Sequence, residues 1–141
     1  MSWLKRKSVL VPTDFSEISY QAIAVAKEYV EDVTSVTLVH ILAPLNPADP
    51  AAVWDTLSDS DRQQKVQEFL TTKLGELGYE GVKTEVLIGD PGTKIADCAN
   101  DIDTELIVMP SHGRKGVSRI LMGSVAERVV RLASCPVLIL K

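Results

Sequence analysis

The chain has 141 residues, of which 45% are apolar and 24% are charged, and its formal net charge is −4 at pH 7. This length and balance are typical of one globular domain, so we expect a single domain over residues 1–141. The acidic balance argues against a nucleic-acid partner, which needs a basic face. No apolar run is long enough for a signal peptide or a membrane span, and the two cysteines form no CxxC pair. We therefore expect a cytoplasmic protein with no membrane partner.

Strand and helix signals alternate along the first half of the chain. SVLVP (8–12) predicts a strand buried on both faces, and the segment after it predicts a helix with Ser16 as N-cap. The expected buried stripe of this helix is Ile18, Ala22, Val25 and Tyr29. SVTLVHI (35–41) predicts a second strand, and the three prolines over 42–54 predict a lid or a variable loop. SDSD (58–61) has capping-box spacing before a helix whose apolar stripe is Val66, Leu70, Leu74 and Leu77.

The second half continues the alternation. VKTEVLI (82–88) alternates apolar and polar residues, which predicts a third strand near a sheet edge, and GDPGTKIADCAND (89–101) predicts a turn and a short helix. TELIVM (104–109) predicts the fourth strand. A basic glycine-rich loop, a helix through Leu132 and the strand PVLIL (136–140) complete the chain. This pattern predicts an α/β fold, Rossmann-like, with one five-stranded parallel sheet in the order 3-2-1-4-5 and helices on both faces.

The expected ligand position is outside the carboxyl ends of the strands, where the strand order reverses. Asp14 follows the first strand, where it either accepts hydrogen bonds from a ligand or caps the first helix. Gly113 and the pair Gly123-Ser124 are typical of an anion site, because glycines let backbone N–H groups approach and a helix N-terminus leaves N–H groups unpaired. The alternative is that Gly116 in this loop is only a turn residue and Ser124 only an N-cap.

Other side chains near this edge give weaker signals. Arg114, Lys115 and Arg119 either pair with phosphates or are simply solvated. His40 and His112 lack the spacing of metal ligands, so we expect no metal site. The chain has no P-loop motif, no GxGxxG after its first strand and no GxSxG, and it offers no pair of carboxylates for acid–base chemistry. We therefore expect no catalytic residue.

Four stretches resemble the universal stress protein family: SVLVPTDFS, VTLVHI, GDPGTKIADCAND and SHGRKGVSRILMGSVAERVVRLASCPVLIL. Together they cover nearly the whole chain. In the ATP-binding branch of this family, G-x-x-G is followed by nine residues and G-[ST]. Here Gly113, nine residues and then Gly123-Ser124 match the motif, whereas its first glycine falls on Pro110.

The resemblance implies a stress-response or signalling protein that binds ATP, ADP or AMP, with or without Mg²⁺, and that forms a homodimer through its C-terminal strand. The adenosine side would be lined by Pro12, Thr13 and Asp14, with the adenine packed by Ile41. The ribose and phosphates would lie at Met109, His112, Gly113, Arg114, Gly123, Ser124 and Val125.

Three other interpretations stay open at this point. One is a weak ATPase with slow hydrolysis at most. Another is a phospho-accepting receiver-like domain, which requires an acidic pair after the first strand, where this chain has only Asp14. The third is a family member that has lost its nucleotide and acts through protein contacts, and Pro110 favours it.

Overall fold

The computed structural model describes residues 4–45, 48, 58–112 and 122–141, and its elements alternate as the sequence predicts. The strands are β1 (Val9–Pro12), β2 (Val36–Leu42), β3 (Lys83–Ile88), β4 (Leu106–Pro110) and β5 (Val137–Leu140). The helices are α1 (Glu17–Lys27), α2 (Asp59–Glu76), α3 (Pro91–Asp101) and α4 (Ser124–Leu132), and a 3₁₀ turn covers Val33–Ser35. Outside the described residues lie most of the predicted lid or loop and the positions Gly113, Arg114, Lys115, Gly116 and Arg119.

The strands form one parallel sheet in the order β3-β2-β1-β4-β5, which confirms the predicted topology. β1 pairs with β2 along all four of its residues, but with β4 only through Val9–Leu106 and Leu10–Ile107. The carboxyl ends of β1 and β4 therefore separate, and this is where the strand order reverses.

Each face of the sheet packs against a pair of helices. On one face, Val9, Val11 and Leu38 form a core with residues of α1 and α2. On the other face, Leu10 and Ile107 form a second core with residues of α3 and α4. Neighbouring residues of a strand point to opposite faces, so a strand buried on both sides must be apolar throughout. No helix in the described part of the chain is long and apolar enough to cross a bilayer.

The helix caps follow the sequence, whereas one buried face does not. Ser16 caps α1, and Ser58 with Asp61 completes a capping box at α2. In α1, however, Ile18 is 53% exposed, and the buried residues are Ser19, Tyr20, Ala22, Ile23 and Ala26. The predicted stripe is therefore wrong at Ile18 only: Ala22 is fully buried, and Val25 and Tyr29 are half-buried against the same core. Tertiary packing rather than periodicity decides that Ser19 and Tyr20, not Ile18, face the sheet in the first turn. Leu77, at the end of the other predicted stripe, is 39% exposed because α2 ends before it.

Candidate functional site

A cleft of about 490 Å³ lies at the carboxyl edge of the sheet, where β1 and β4 separate. Its volume falls within the usual range for small-molecule sites. The ends of β1, β2 and β4 form its floor, and the first turns of α3 and α4 form one wall. Its described lining residues are Pro12, Thr13, Asp14, Ser19, Val39, His40, Ile41, Pro91, Ile95, Met109, Pro110, Ser111, His112, Gly123, Ser124, Val125 and Ala126.

The structure brings together every predicted binding residue that it describes. Those that line the cleft are Pro12, Thr13, Asp14, Ile41, Met109, His112, Gly123, Ser124 and Val125. The other two, Gly113 and Arg114, lie outside the described residues. These residues come from four separate parts of the chain, so their convergence is a consequence of the parallel sheet.

Thr13, on the loop between β1 and α1, is 6% exposed and uses all its polar atoms inside the protein. Its N–H donates to the Val39 carbonyl (2.8 Å), and its own carbonyl accepts from His40 Nδ1 (2.7 Å). Ser19 Oγ donates its only hydrogen to a carbonyl, so the Thr13 hydroxyl donates to Ser19 Oγ (2.7 Å) and accepts from the Phe15 N–H (3.0 Å). Thr13 therefore shapes the cleft but has no spare hydrogen for a ligand.

Asp14 lies half-buried on the same loop. Its Oδ1 accepts from the Ser16 N–H at 3.0 Å. Ser16 is the N-cap of α1, and its hydroxyl accepts from the Ser19 N–H. The alternative that Asp14 caps the first helix is therefore wrong, because the helix begins two residues too late for it. Asp14 orders the loop and lines the cleft.

The N-terminus of α4 faces the cleft from the opposite side. Gly123, not Ser124, is the N-cap, with φ −63° and ψ 157°, so the alternative that Ser124 is only an N-cap is wrong. The Gly123 N–H donates to the Ser111 carbonyl (2.7 Å), and a Cβ at this position would lie 3.0 Å from the same oxygen. A glycine therefore allows this close approach. Among the described residues, the N–H groups of Ser124, Val125 and Ala126 have no backbone acceptor. They are the donors that the helix offers to an anion.

Pro110 ends β4 and lines the cleft. The next residue, Ser111, donates its N–H to the Leu140 carbonyl of β5 at 2.8 Å. In a parallel strand, the N–H and C=O groups of successive residues point alternately to the two neighbouring strands. The backbone groups of residue 110 therefore point toward β1, which has already separated from β4. A proline there therefore costs β4 no hydrogen bond with β5, and its ring replaces an N–H that would point toward the cleft.

The two histidines have partners other than a metal ion. His40 donates from Nδ1 to the Thr13 carbonyl, and His112 Nδ1 lies 3.1 Å from the Ser111 hydroxyl. In the part of the chain that the structure describes, no group of three or more His, Cys, Asp or Glu side chains is arranged to hold a metal ion.

An ion pair joins the two helices that wall the cleft. Asp90 caps α3 and accepts from Thr93, and Arg128 of α4 places Nε 3.3 Å from Asp90 Oδ2. Hydrogen bonds from the Thr93 hydroxyl and N–H, helped by the Arg128 charge, lower the pKa of the Asp90 carboxyl. Beneath the pair, Gly92 lets the two helices meet closely. These contacts hold the first turn of α3 against α4.

Sequence reasoning missed several lining residues, among them Ser19, Val39, Ile95, Ser111 and Ala126. Val39 was detectable, because it lies two positions before Ile41 on the same strand and so faces the same side. Ile95 of α3 and Ala126 of α4 gave no such signal, because their orientation depends on contacts between helices far apart in sequence.

The fold and the cleft together define a doubly wound α/β protein with a ligand-sized cleft where the strand order reverses. The model of the universal stress protein family matches residues 5–141. The chain belongs to the universal stress protein family.

Individual relatives agree with this assignment. The chain is 36% identical over 141 residues to universal stress protein MJ0531 of Methanocaldococcus jannaschii, covering 96% of this chain and 82% of that protein. The solved structure of MJ0577, from the same organism, is similar with a TM-score of 0.74 at 29% identity, covering 96% and 95% of the two chains. A family protein from Arabidopsis thaliana, solved with AMP bound, gives a TM-score of 0.59 at 22% identity, covering 96% and 92%. That last likeness concerns the fold alone.

Proposed function

We propose that this chain binds an adenine nucleotide, ATP, ADP or AMP, in the cleft and acts as a nucleotide-responsive stress or signalling protein. The observation that carries the proposal is the pairing of an apolar cleft with the N–H groups that begin α4, which have no backbone acceptor among the residues that the structure describes. An adenosine group needs apolar walls and a few polar contacts, and a phosphate needs converging N–H donors.

The two ends of the cleft suit the two ends of a nucleotide. Ile41 and Met109 are 9% and 5% exposed, and they offer an apolar surface on which an adenine ring packs. Asp14 lies nearby with a carboxylate that accepts from ribose hydroxyls. The N–H groups of Ser124 and Val125 would bind the phosphates, and Mg²⁺, if it accompanies the nucleotide, would offset the phosphate charge. We assign no catalytic residue.

The fold is known to accommodate such ligands. The Arabidopsis protein was solved with AMP, and another universal stress protein, at 20% identity with a TM-score of 0.62, was solved in complex with cAMP. Because these likenesses concern the fold, the support from this chain itself is the Gly123-Ser124 pair of the motif and the geometry around it.

Titration calorimetry with ATP, ADP and AMP, with and without Mg²⁺, tests the proposal, together with mass spectrometry of any small molecule that the heat-denatured protein releases. We expect Gly123→Val to abolish binding, because its branched side chain would enter the phosphate position and press on the Ser111 carbonyl, 3.0 Å from the added Cβ. Gly75→Ala is the matched control, because a Cβ at that exposed position meets nothing within 4 Å. Unchanged affinity in Gly123→Val would place the site elsewhere.

One observation favours a second function, protein contacts without a nucleotide. Pro110 removes the N–H that would point toward the cleft at the first glycine of the motif. The absence of binding by the natural chain, with binding by Pro110→Gly, would favour this function over ours.

We also infer a homodimer that pairs through β5. The backbone carbonyl of Leu140 points to β4, because it accepts from the Ser111 N–H. Since these groups alternate along a strand, the N–H and C=O groups of Val137 and Ile139 point to the outer edge of the sheet. At the opposite edge, Gln63 of α2 donates to the Val86 carbonyl of β3 at 2.8 Å. The edge at β5 is thus the better template for a second copy.

The cytoplasmic location stays a prediction.

A further inference from the structure

Phe15 has a backbone conformation that is unusual for an aromatic residue. Its φ is +68°, in the left-handed region, where the Cβ of an L-residue is crowded by the backbone. Elsewhere in the described residues, positive φ occurs at glycines, such as Gly78 (+80°) and Gly81 (+98°), and at Asp103 (+53°), a residue type that tolerates this region. A side chain kept at a strained position indicates that surrounding contacts hold it there.

Two sets of contacts hold Phe15. Its N–H donates to the Thr13 hydroxyl at 3.0 Å. Its ring lies against the His40 ring, with centroids 4.1 Å apart and planes tilted by 37°, and meets Phe69 of α2 edge-on at 5.6 Å. His40 also donates to the Thr13 carbonyl at 2.7 Å. Phe15 and His40 therefore both hold Thr13, Phe15 at its hydroxyl and His40 at its carbonyl.

We propose that Phe15 and His40 form a positioning clamp, which holds Thr13 and Asp14 in the shape that the ligand needs before the ligand arrives. The inference rests on the proposed nucleotide function. Asp14 lies between Thr13 and Phe15 in the chain, so the position of its carboxylate depends on these two neighbours. A ligand that meets a preformed loop does not spend binding energy on ordering it.

The clamp predicts that affinity depends on the Phe15 ring even though the ring does not line the cleft. Phe15→Gly relieves the strain at φ +68° and removes both ring contacts, so the loop gains other conformations. If the competent loop falls to about one tenth of the population, the apparent Kd for AMP rises about tenfold. Phe15→Tyr keeps the ring and recovers most of this affinity.

Two variants of His40 separate its two contacts. His40→Asn keeps an N–H donor near the position of Nδ1 but removes the ring, and His40→Phe keeps a ring but removes the donor. We expect each to weaken AMP binding, measured by calorimetry at a temperature where all variants are fully folded. Parental affinity in Phe15→Gly, or in both His40 variants, would overturn the clamp.

Hydrogen exchange tests the clamp without any nucleotide. In Phe15→Gly we expect the amides of position 15 and of Ser16 to exchange at least about tenfold faster relative to their intrinsic rates, while the amides of α3, which packs on the opposite face of the sheet, keep their rates. Unchanged exchange at the loop overturns the clamp by itself. If instead loop exchange rises but the natural chain binds no adenine nucleotide, the proposed function fails while the loop-ordering part of the clamp stands.

Discussion

The helices α3 and α4, which wall the cleft, approach each other closely at Gly92. Gly92 is buried, and a Cβ added there would lie 2.6 Å from Arg128 Cβ and 2.8 Å from Arg128 Cδ. The far end of the arginine can move aside, but its Cβ is fixed to the helix backbone. Because carbon atoms pack best at about 3.5–4.0 Å, Gly92→Ala must push the two helices apart by about 1 Å.

The cost follows from this displacement. Overpacking of this kind costs about 1–3 kcal/mol, from which the better helix propensity of alanine subtracts about 0.5–1 kcal/mol. Because the added Cβ would lie only 2.6 Å from Arg128 Cβ, we take the upper part of that cost, about 2–3 kcal/mol. The net loss is then about 1–2.5 kcal/mol, which for a chain of this size lowers Tm by about 3–12 °C. We also expect weaker nucleotide binding, because the proposed phosphate donors of α4 then move away from the rest of the cleft.

Differential scanning calorimetry of Gly92→Ala beside Gly75→Ala separates packing from propensity. At Gly75, exposed in the last turn of α2, a Cβ meets nothing within 4 Å, so alanine should stabilise by about 0.5–1 kcal/mol. Opposite signs for the two variants are the expected result. A Gly92→Ala protein that melts at or above the parental temperature would refute the close contact between the helices.

Three further predictions concern the sheet edge, the motif and the thiols. Ile139→Pro should give monomers by light scattering while the fold survives, since the N–H of Ile139 points to the outer edge. Leu138→Pro should in addition disrupt the pairing of β5 with β4. A parent protein that is already monomeric at tens of micromolar would contradict the dimer. Pro110→Gly should tighten AMP binding by about tenfold at most, because one N–H donor is restored, and looser binding would be contrary to this. Burial raises the pKa of Cys98 from 9.0 to about 11, and burial also raises that of Cys135, which is less buried. Iodoacetamide should therefore label Cys135 before Cys98. The raised pKa of Cys98 also means that the free energy of unfolding falls as pH rises from 9 toward 11, because unfolding then releases the Cys98 proton.

Much of the fold was predictable because its signals are local. The caps Ser16 and Ser58 depend on hydrogen bonds within a few residues, so their spacing in the sequence is sufficient. The strand order follows from the β-α alternation and the right-handed crossover, which leave few arrangements. The same rule placed the candidate residues at one edge, because the carboxyl ends of parallel strands meet there.

Only the tertiary structure decided how these elements face one another. The exposure of Ile18 depends on the rotation of α1 against the sheet, and the cap of α4 fell on Gly123 because that residue meets the Ser111 carbonyl. The left-handed Phe15 and the fully used polar atoms of Thr13 likewise depend on His40, which is more than twenty residues away. Contacts between distant segments select one of several locally acceptable conformations, and no short-range pattern in the sequence records that selection.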